Sequence, residues 1–325
     1  MNDNENKYHD VLVQISDLAN VVVNDHEPTD ETFDDHSIGQ TLVEAECDCT
    51  IKRLPERLLV KAAAIATHIN PVNAPAIAFD LSEPLDPMRI AVLTAKYWGP
   101  LPRRLTVSFM ENTAADLRAR IISHMNAWQV GISFAWTQGT GDVRISRGQG
   151  GYWSYLGTDI RLIPRNRPTM NLEGFTMNTS ESEYRRVVRH ETGHTLGFPH
   201  EHMRRELIAR LDREKTYDYF WRQYSWNRQM VDQQVLTPLN DATIMKTPPD
   251  QTSIMCYQLP GTITRDGRPI TGGTDINSTD SRFARGIYPR LFGSVVANGQ
   301  AHDHEHEHVS VEDWGESEDV ELEMA

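Results

Sequence analysis

Two histidines four residues apart, with a glutamate between them, carry the clearest chemistry in this sequence. His190 and His194 would project from one face of a helix, one turn apart, where both can bind the same metal ion. Glu191 follows the first histidine, and its carboxylate is placed to take a proton from a water molecule that the metal activates. This spacing predicts a metal-dependent hydrolase.

A glycine and a third histidine extend the pattern. Gly197 can end the helix in a left-handed conformation and turn the chain back, which would bring His200 up as a third nitrogen ligand. Catalytic zinc usually has three protein ligands and an open fourth position, whereas structural zinc usually has four protein ligands. We therefore predict one catalytic Zn²⁺ bound by His190, His194 and His200.

The elements that must position this motif follow from the hydrophobic patterns around it. Alternating apolar residues predict strands, and apolar residues three and four apart predict helices. Ser180 and Glu183 predict the start of the metal-binding helix, because together they form a capping box. The predicted elements form an α+β fold, with helices over 54–70, 90–97, 114–128, 180–196, 226–235 and 281–288, and strands over 105–109, 132–136, 142–146, 159–163 and 169–172.

The negative charge of the chain is concentrated at its two ends. The net charge is −14 over 325 residues; residues 1–35 carry −9 and residues 301–325 carry −10, which leaves +5 for residues 36–300. The body has no broad basic face for nucleic acid. We predict an acidic leader or propeptide-like region over 1–89, a metallopeptidase domain over 90–295 with an upper part to 197 and a lower part from 198, and a disordered tail over 296–325.

Cysteine content and the N-terminal sequence bear on the compartment. Three cysteines, Cys47, Cys49 and Cys256, are too few for a disulfide framework. No signal peptide and no membrane-spanning stretch are visible. The default expectation is a cytoplasmic monomer, with export by a leaderless route as the alternative.

Two further groups of metal-binding residue types lie near the ends. Cys47 and Cys49 could approach the metal, where a thiolate in the open position would block catalysis; we favour two free thiols in a flexible segment. The tail 302–308 alternates histidine with carboxylates and could bind divalent metals weakly; we favour disorder without a defined metal role.

Arg161, Arg165 and Arg167 near the cleft could favour acidic substrate side chains, and a solvated charged loop is the preferred interpretation.

A second motif downstream identifies a family. The string from His190 through Gly197 to His200 matches the metzincin pattern, and Ser253–Tyr257 fits the methionine turn expected below the zinc, with Met255 at its centre. The segment from His190 to Arg204, with Phe198 and Glu201, most resembles the astacins. The resemblance covers roughly residues 100–290.

The resemblance implies a fold, an activity and a further site residue. The fold would be of the metzincin type, a mixed twisted sheet with an active-site helix above a zinc cleft and a smaller irregular C-terminal subdomain below. The activity would be zinc-dependent endopeptidase action on proteins or peptides, with Glu191 as general base and acid. Tyr257, two residues after the turn methionine, would be a displaceable zinc ligand that stabilises the oxyanion.

Two alternatives remain open from sequence. A serralysin-type or other metzincin protease shares the Met-x-Tyr sequence, but serralysins carry glycine-rich calcium repeats that this chain lacks. A non-catalytic zinc-binding protein could use the histidine-rich tail, and deletion of residues 301–325 would then remove most of its metal.

Overall fold

The computed structural model describes residues 49–74, 94–239 and 248–290 of the chain. Predictions for residues 1–48 including Cys47, for residues 75–93 and for the histidine-rich tail lie outside these residues. Within the described ranges, no helix is both long enough and apolar enough to cross a membrane.

The described residues form a mixed α+β fold, as predicted. Six strands make one sheet: β1 Thr50–Lys52, β2 Arg103–Phe109, β3 Ile132–Trp136, β4 Val143–Ser146, β5 Tyr152–Tyr155 and β6 Met170–Leu172. The α-helices are α1 Leu59–Ile69, α2 Ala115–Met125, α3 Glu181–Glu183, α4 Arg189–Thr195, α5 Arg205–Ile208, α6 Arg213–Tyr224, α7 Arg228–Val231 and α8 Ser278–Ile287. Two π-helical turns, Tyr184–Val188 and Asp232–Leu236, continue α3 into α4 and extend α7. Short 3₁₀ turns cover Glu56–Leu58, Pro71–Asn73, Asn126–Trp128, Gly157–Leu162, Glu201–Met203 and Gly261–Ile263.

The sheet has the order β1-β5-β6-β4-β2-β3. β2, β3, β4 and β6 run parallel to one another, while β5 pairs antiparallel with β6. β1 pairs in parallel with β5 at the edge, with Ile51 opposite Ser154. The N-terminal segment therefore covers the outer side of β5.

The two larger of the three apolar clusters in the described residues lie in different parts of the chain. The larger core packs the sheet against α2, the metal-binding helix and α8, and its fully buried side chains include Trp98, Trp128 and Tyr184. The second core gathers aromatic and aliphatic residues from α6, α7 and the loops after them, with Phe220 stacked on Trp226. The residues around 198 pass from the first core to the second.

Two of the predicted elements are wrong. The described part of 90–97 is not helical, because the Asn73 side chain takes the hydrogen bonds that a helix would need: its amide donates to Tyr97 O at 2.7 Å and its oxygen accepts from Tyr97 N at 2.9 Å. The predicted strand over 159–163 is instead the 3₁₀ turn Gly157–Leu162. Gly157 has φ +47°, and a Cβ there would lie 1.9 Å from Lys96 O, so the chain turns where only glycine fits.

The remaining helix predictions differ only at their ends. The helix predicted over 114–128 ends at Met125 and continues as a 3₁₀ turn, and the last helix begins three residues earlier than predicted. Asn277 caps α8 in a capping box with Asp280, where Ser278 or Asp280 had been expected to start the helix.

Candidate active site

The metal-binding helix is held in the larger core by hydrogen bonds to its carbonyl groups. Ser180 caps its first turn by accepting a hydrogen bond from Glu183 N. Trp128 Nε1 donates to Arg189 O at 2.8 Å, and Trp98 Nε1 donates to Thr195 O at 2.8 Å. The Tyr288 hydroxyl donates to Leu196 O. Large, rigid side chains therefore fix both ends of α4 before any metal binds.

The chain reverses at Gly197, as predicted. Its φ is +94°, and Phe198 N donates to Gly193 O at 2.9 Å as the helix ends. The segment after this turn brings His200 back beside the helix. The ring centroids of His194 and His200 are 4.5 Å apart, and those of His190 and His200 are 5.4 Å apart.

Four side chains converge at this point. The ligand atoms of Cys49, His190, His194 and His200 all lie within 4.8 Å of one another, and all four residues are buried. The three histidines are the predicted ligands, and the structure brings them together. Cys49 is the addition: the sequence raised it as a candidate, but a free thiol was preferred.

The imidazole rings are oriented by backbone carbonyl groups. His190 Nδ1 lies 2.6 Å from Ile254 O, and His194 Nδ1 lies 2.7 Å from Phe198 O. A carbonyl can only accept, so each Nδ1 carries the proton and each Nε2 keeps a lone pair for a metal. His190 Nε2 is buried without a hydrogen-bond partner, which fits a nitrogen meant for a metal ion.

Burial also keeps these rings neutral. Desolvation lowers the pKa of His190 to about 4, and it holds the pKa values of His194 and His200 well below the usual range. Metals bind the neutral ring, and three imidazoles with one thiolate are a donor set that zinc accepts. The residues therefore fit a zinc ion.

Glu191 is fully buried beside the ligands. Desolvation raises the pKa of its carboxyl to about 8, and the nearby Cys49 partly offsets this rise. A carboxyl whose pKa lies near neutrality can both accept and return a proton at working pH. This is the environment that its predicted role needs.

The predicted methionine turn lies below the histidines. Met255 O accepts a hydrogen bond from Glu201 N at 2.8 Å, which connects the turn to the third histidine. A Cβ on Gly193 would lie 2.3 Å from Met255 Sδ, so the methionine packs against the helix only because residue 193 is glycine. Asp280 of α8 fixes the turn by accepting from Ser253 Oγ at 2.6 Å and from Ile254 N at 3.0 Å.

Tyr257 lies on the lower wall, next to the cysteine. Its ring centroid is 4.4 Å from that of His200, and its hydroxyl donates to the carbonyl oxygen of Cys49. A cleft lined by Cys49, Glu191, Tyr257 and Tyr152 of β5 runs through this region. Both predicted catalytic residues and His190 line this cleft, and His194 and His200 are clustered with His190.

Comparisons with known proteins address the family. The family model for Astacin, a peptidase family, matches residues 94–269, which is more than half of the chain. The chain belongs to the astacin family. As an astacin it is a zinc metalloendopeptidase, and the mixed sheet and the cluster of three histidines agree with that class.

Two solved structures match this astacin. It is 30% identical to myroilysin in one structure, over 60% of this chain and 97% of that chain, with a TM-score of 0.57. A match to high choriolytic enzyme 1, a hatching-enzyme zinc-protease of the medaka fish Oryzias latipes, is 20% identical over 58% of this chain and 90% of that chain, with a TM-score of 0.40. A sequence comparison with curated proteins found no match.

Three residues of the site were not singled out from sequence. Asp280 lies 25 residues after the turn methionine, and no local pattern marks it as the acceptor for Ser253. Gln234 accepts a hydrogen bond from Ile51 N of β1, and His202 accepts one from Tyr257 N. For Cys49 a signal existed: a cysteine pair stands just upstream of the domain, and a thiol is a strong zinc ligand.

Proposed function

We propose that this enzyme cuts peptide bonds of protein substrates at one zinc ion held by His190, His194 and His200, and that Cys49 keeps the full-length chain latent. The convergence of four donor atoms within 4.8 Å carries the proposal. Three of the donors come from the folded core and one comes from the N-terminal segment. A catalytic zinc site needs its fourth position for substrate and water, and the Cys49 thiol would fill that position.

Zinc in this site would polarise the scissile carbonyl and lower the pKa of water to about 7. The protein supplies the proton transfers. Glu191 accepts the proton of the attacking water and returns it to the leaving amine, so one buried carboxylate serves as base and then as acid.

Tyr257 supplies a hydrogen bond to the reacting carbonyl. Its hydroxyl already donates to a peptide carbonyl oxygen in the cleft, that of Cys49. The same donor can serve the oxyanion of a substrate once the segment leaves. Removal of one such donor costs about 10²–10³ in rate in other hydrolases.

The edge of β5 supports a protein substrate. β1 pairs with β5 over three residues, so this edge accepts an extended strand beside the four ligand residues. A substrate peptide bound in the same way would gain main-chain hydrogen bonds that do not depend on its side chains. The expectations of a monomer and of a cytoplasmic location stay predictions.

Two substitutions in the full-length chain test the proposal. Cys49→Ala should raise the rate of casein cleavage about tenfold or more, since each 1.4 kcal/mol by which the latent state is destabilised shifts its population tenfold. Glu191→Ala in the Cys49→Ala protein should lower that rate about 10²- to 10⁴-fold. Zinc per chain is measured in both proteins.

Cys256→Ala is the matched control, because this second buried thiol lies outside the four-residue cluster. It should leave the full-length chain latent. If the double variant keeps its zinc and still cleaves casein as fast as Cys49→Ala, the role of Glu191 is wrong. If the Cys49→Ala protein cleaves casein no faster than the parent, the proposal that Cys49 keeps the chain latent is wrong.

A further inference from the structure

His202 is a buried histidine that the zinc chemistry does not use. It is fully buried, and it is not among the four residues whose ligand atoms converge. Its two ring nitrogens both have backbone partners: Nε2 lies 2.9 Å from Gln234 O, and Tyr257 N donates to Nδ1 at 3.4 Å. Its ring therefore connects the π-helical turn after α7 with the tyrosine of the cleft.

The partners fix the tautomer of this ring. Gln234 O can only accept, so Nε2 carries the proton, and Tyr257 N–H can only donate, so Nδ1 keeps its lone pair. One neutral tautomer satisfies both contacts. Rotation of the ring by 180° would break both, so the plane of the imidazole is set by backbone groups on two separate segments.

The oriented ring then packs on the Tyr257 side chain. The two ring centroids are 4.1 Å apart and the planes make an angle of 22°, a stacked contact. The Tyr257 ring also contacts the imidazole of His200, with the ring centroids 4.4 Å apart and an angle of 54° between the planes. The Tyr257 ring lies between these two faces. His202 also packs against the His200 ring, with the centroids 5.0 Å apart, but its own hydrogen bonds go to backbone groups.

We infer that His202 is a positioning residue for Tyr257: its two backbone hydrogen bonds lock an imidazole plane against which the tyrosine ring stacks. This inference rests on the proposed role of Tyr257 as a donor to the reacting carbonyl. His202 itself touches no reacting atom. It acts through the direction in which the Tyr257 hydroxyl points.

Kinetics of the full-length Cys49→Ala protein provide the first test. His202→Phe keeps a ring but removes both hydrogen bonds, and it should lower kcat on a fluorogenic peptide about three- to tenfold, the value of about one net hydrogen bond, with KM and zinc content unchanged. His202→Gln can still donate to Gln234 O and should recover part of the loss. If His202→Phe does not fold, His202→Gln provides the kinetic test in its place.

A double-substitution cycle separates positioning from a general effect on the fold. In a Tyr257→Phe background, His202→Phe should lower kcat no further, because the hydroxyl it positions is gone. The matched control is His124→Phe, a second buried histidine in ring contact with a tyrosine, Tyr184, on the α2 side of the core. It should leave kcat unchanged. An equal loss from His202→Phe with and without the Tyr257 hydroxyl overturns the inference.

A second readout does not use activity. The Tyr257 hydroxyl holds the carbonyl of Cys49, so a displaced tyrosine should free the segment. In the full-length Cys47→Ser protein treated with a chelator, His202→Phe should raise the rate of Cys49 alkylation by iodoacetamide about three- to tenfold, with no further rise when Tyr257→Phe is added. An unchanged rate overturns the inference.

The two measurements also separate failure of this inference from failure of the proposed function. If Tyr257→Phe alone leaves kcat unchanged, the catalytic role of Tyr257 is wrong, and the alkylation rates still decide whether His202 positions its ring. If Tyr257→Phe lowers kcat but His202→Phe changes neither kcat nor alkylation, the positioning role is wrong and the catalytic role stands.

Discussion

The two sides of the four-residue ligand cluster are held in opposite ways. The histidine side belongs to the larger core: three aromatic donors hold α4, and the methionine turn closes it from below. On the cysteine side, Cys49 directly precedes the three-residue edge strand β1. That strand is held by its pairing with β5, by the Gln234 side chain and by the Tyr257 hydroxyl.

The difference separates permanent ligands from a removable one. His190, His194 and His200 cannot leave the cluster unless the core opens, which costs a large part of the stability of the domain. The strand after Cys49 can leave for the loss of a few hydrogen bonds, each with a net value of about 0.5–1.5 kcal/mol, and of contacts such as that of Lys52 with the Trp153 ring. A ligand held so locally can be exchanged for substrate while the rest of the site keeps its shape.

The largest expected effect compares one ligand from each side. His194→Ala should weaken zinc binding more than 100-fold, since even changes in groups that only orient a ligand cost about 10–100-fold. Cys49→Ala should leave one zinc bound per chain, because three histidines remain. Competition with a chromophoric chelator measures both affinities. Equal losses from the two substitutions would contradict the division into permanent and removable ligands.

A substitution within the core should have the next largest effect. Gly193→Ala places a Cβ 2.3 Å from Met255 Sδ and 3.0 Å from a Trp128 ring atom, so it should destabilise the domain by about 1–3 kcal/mol. Thermal unfolding measures this change. Gly286→Ala in α8 is the control: no atom lies within 4 Å of its Cβ, and a helical alanine is favoured by about 0.5–1 kcal/mol. A Gly193→Ala protein as stable as the parent would show that the turn yields easily.

The smallest expected effect lies on the strand side. The Gln234 amide accepts from Ile51 N and donates to Ile51 O, both at 3.2 Å, so Gln234→Met removes two hydrogen bonds of β1 at nearly constant volume. Hydrogen exchange of residues 50–52 should become about tenfold faster, which corresponds to about 1.4 kcal/mol. Exchange in β2 and β4 should not change. Faster exchange throughout the sheet would mean that the strand is part of the core after all.

The sequence predicted the histidine side well because its information is local. The helix, its cap at Ser180, the turn at Gly197 and the three ligands lie within 21 residues, and helix periodicity fixes their geometry. Met255 and Tyr257 could be predicted because they match the methionine turn of the family and the tyrosine two residues after it. The structure brings the three histidines together and places Tyr257 in ring contact with His200.

Cys49 was a candidate ligand from the sequence but not the preferred one, because its contacts are distant in the chain. Gln234 meets Ile51 across 183 residues, and Tyr257 meets Cys49 across 208. Neither spacing leaves a periodic signal, and a cysteine in an acidic segment looks like any free thiol. The irregular chain at 94–97 has the same cause, since the Asn73 side chain takes its backbone hydrogen bonds from 24 residues away.

The place of β1 at the edge of the sheet has a consequence for solubility. The main-chain groups of β5 that face β1 would form an unpaired edge if the segment left, and exposed edges of this kind pair with strands of other molecules. A chain that keeps its N-terminal segment until its substrate is present therefore keeps that edge covered. Concentrated enzyme without the segment should self-associate more readily than the full-length chain.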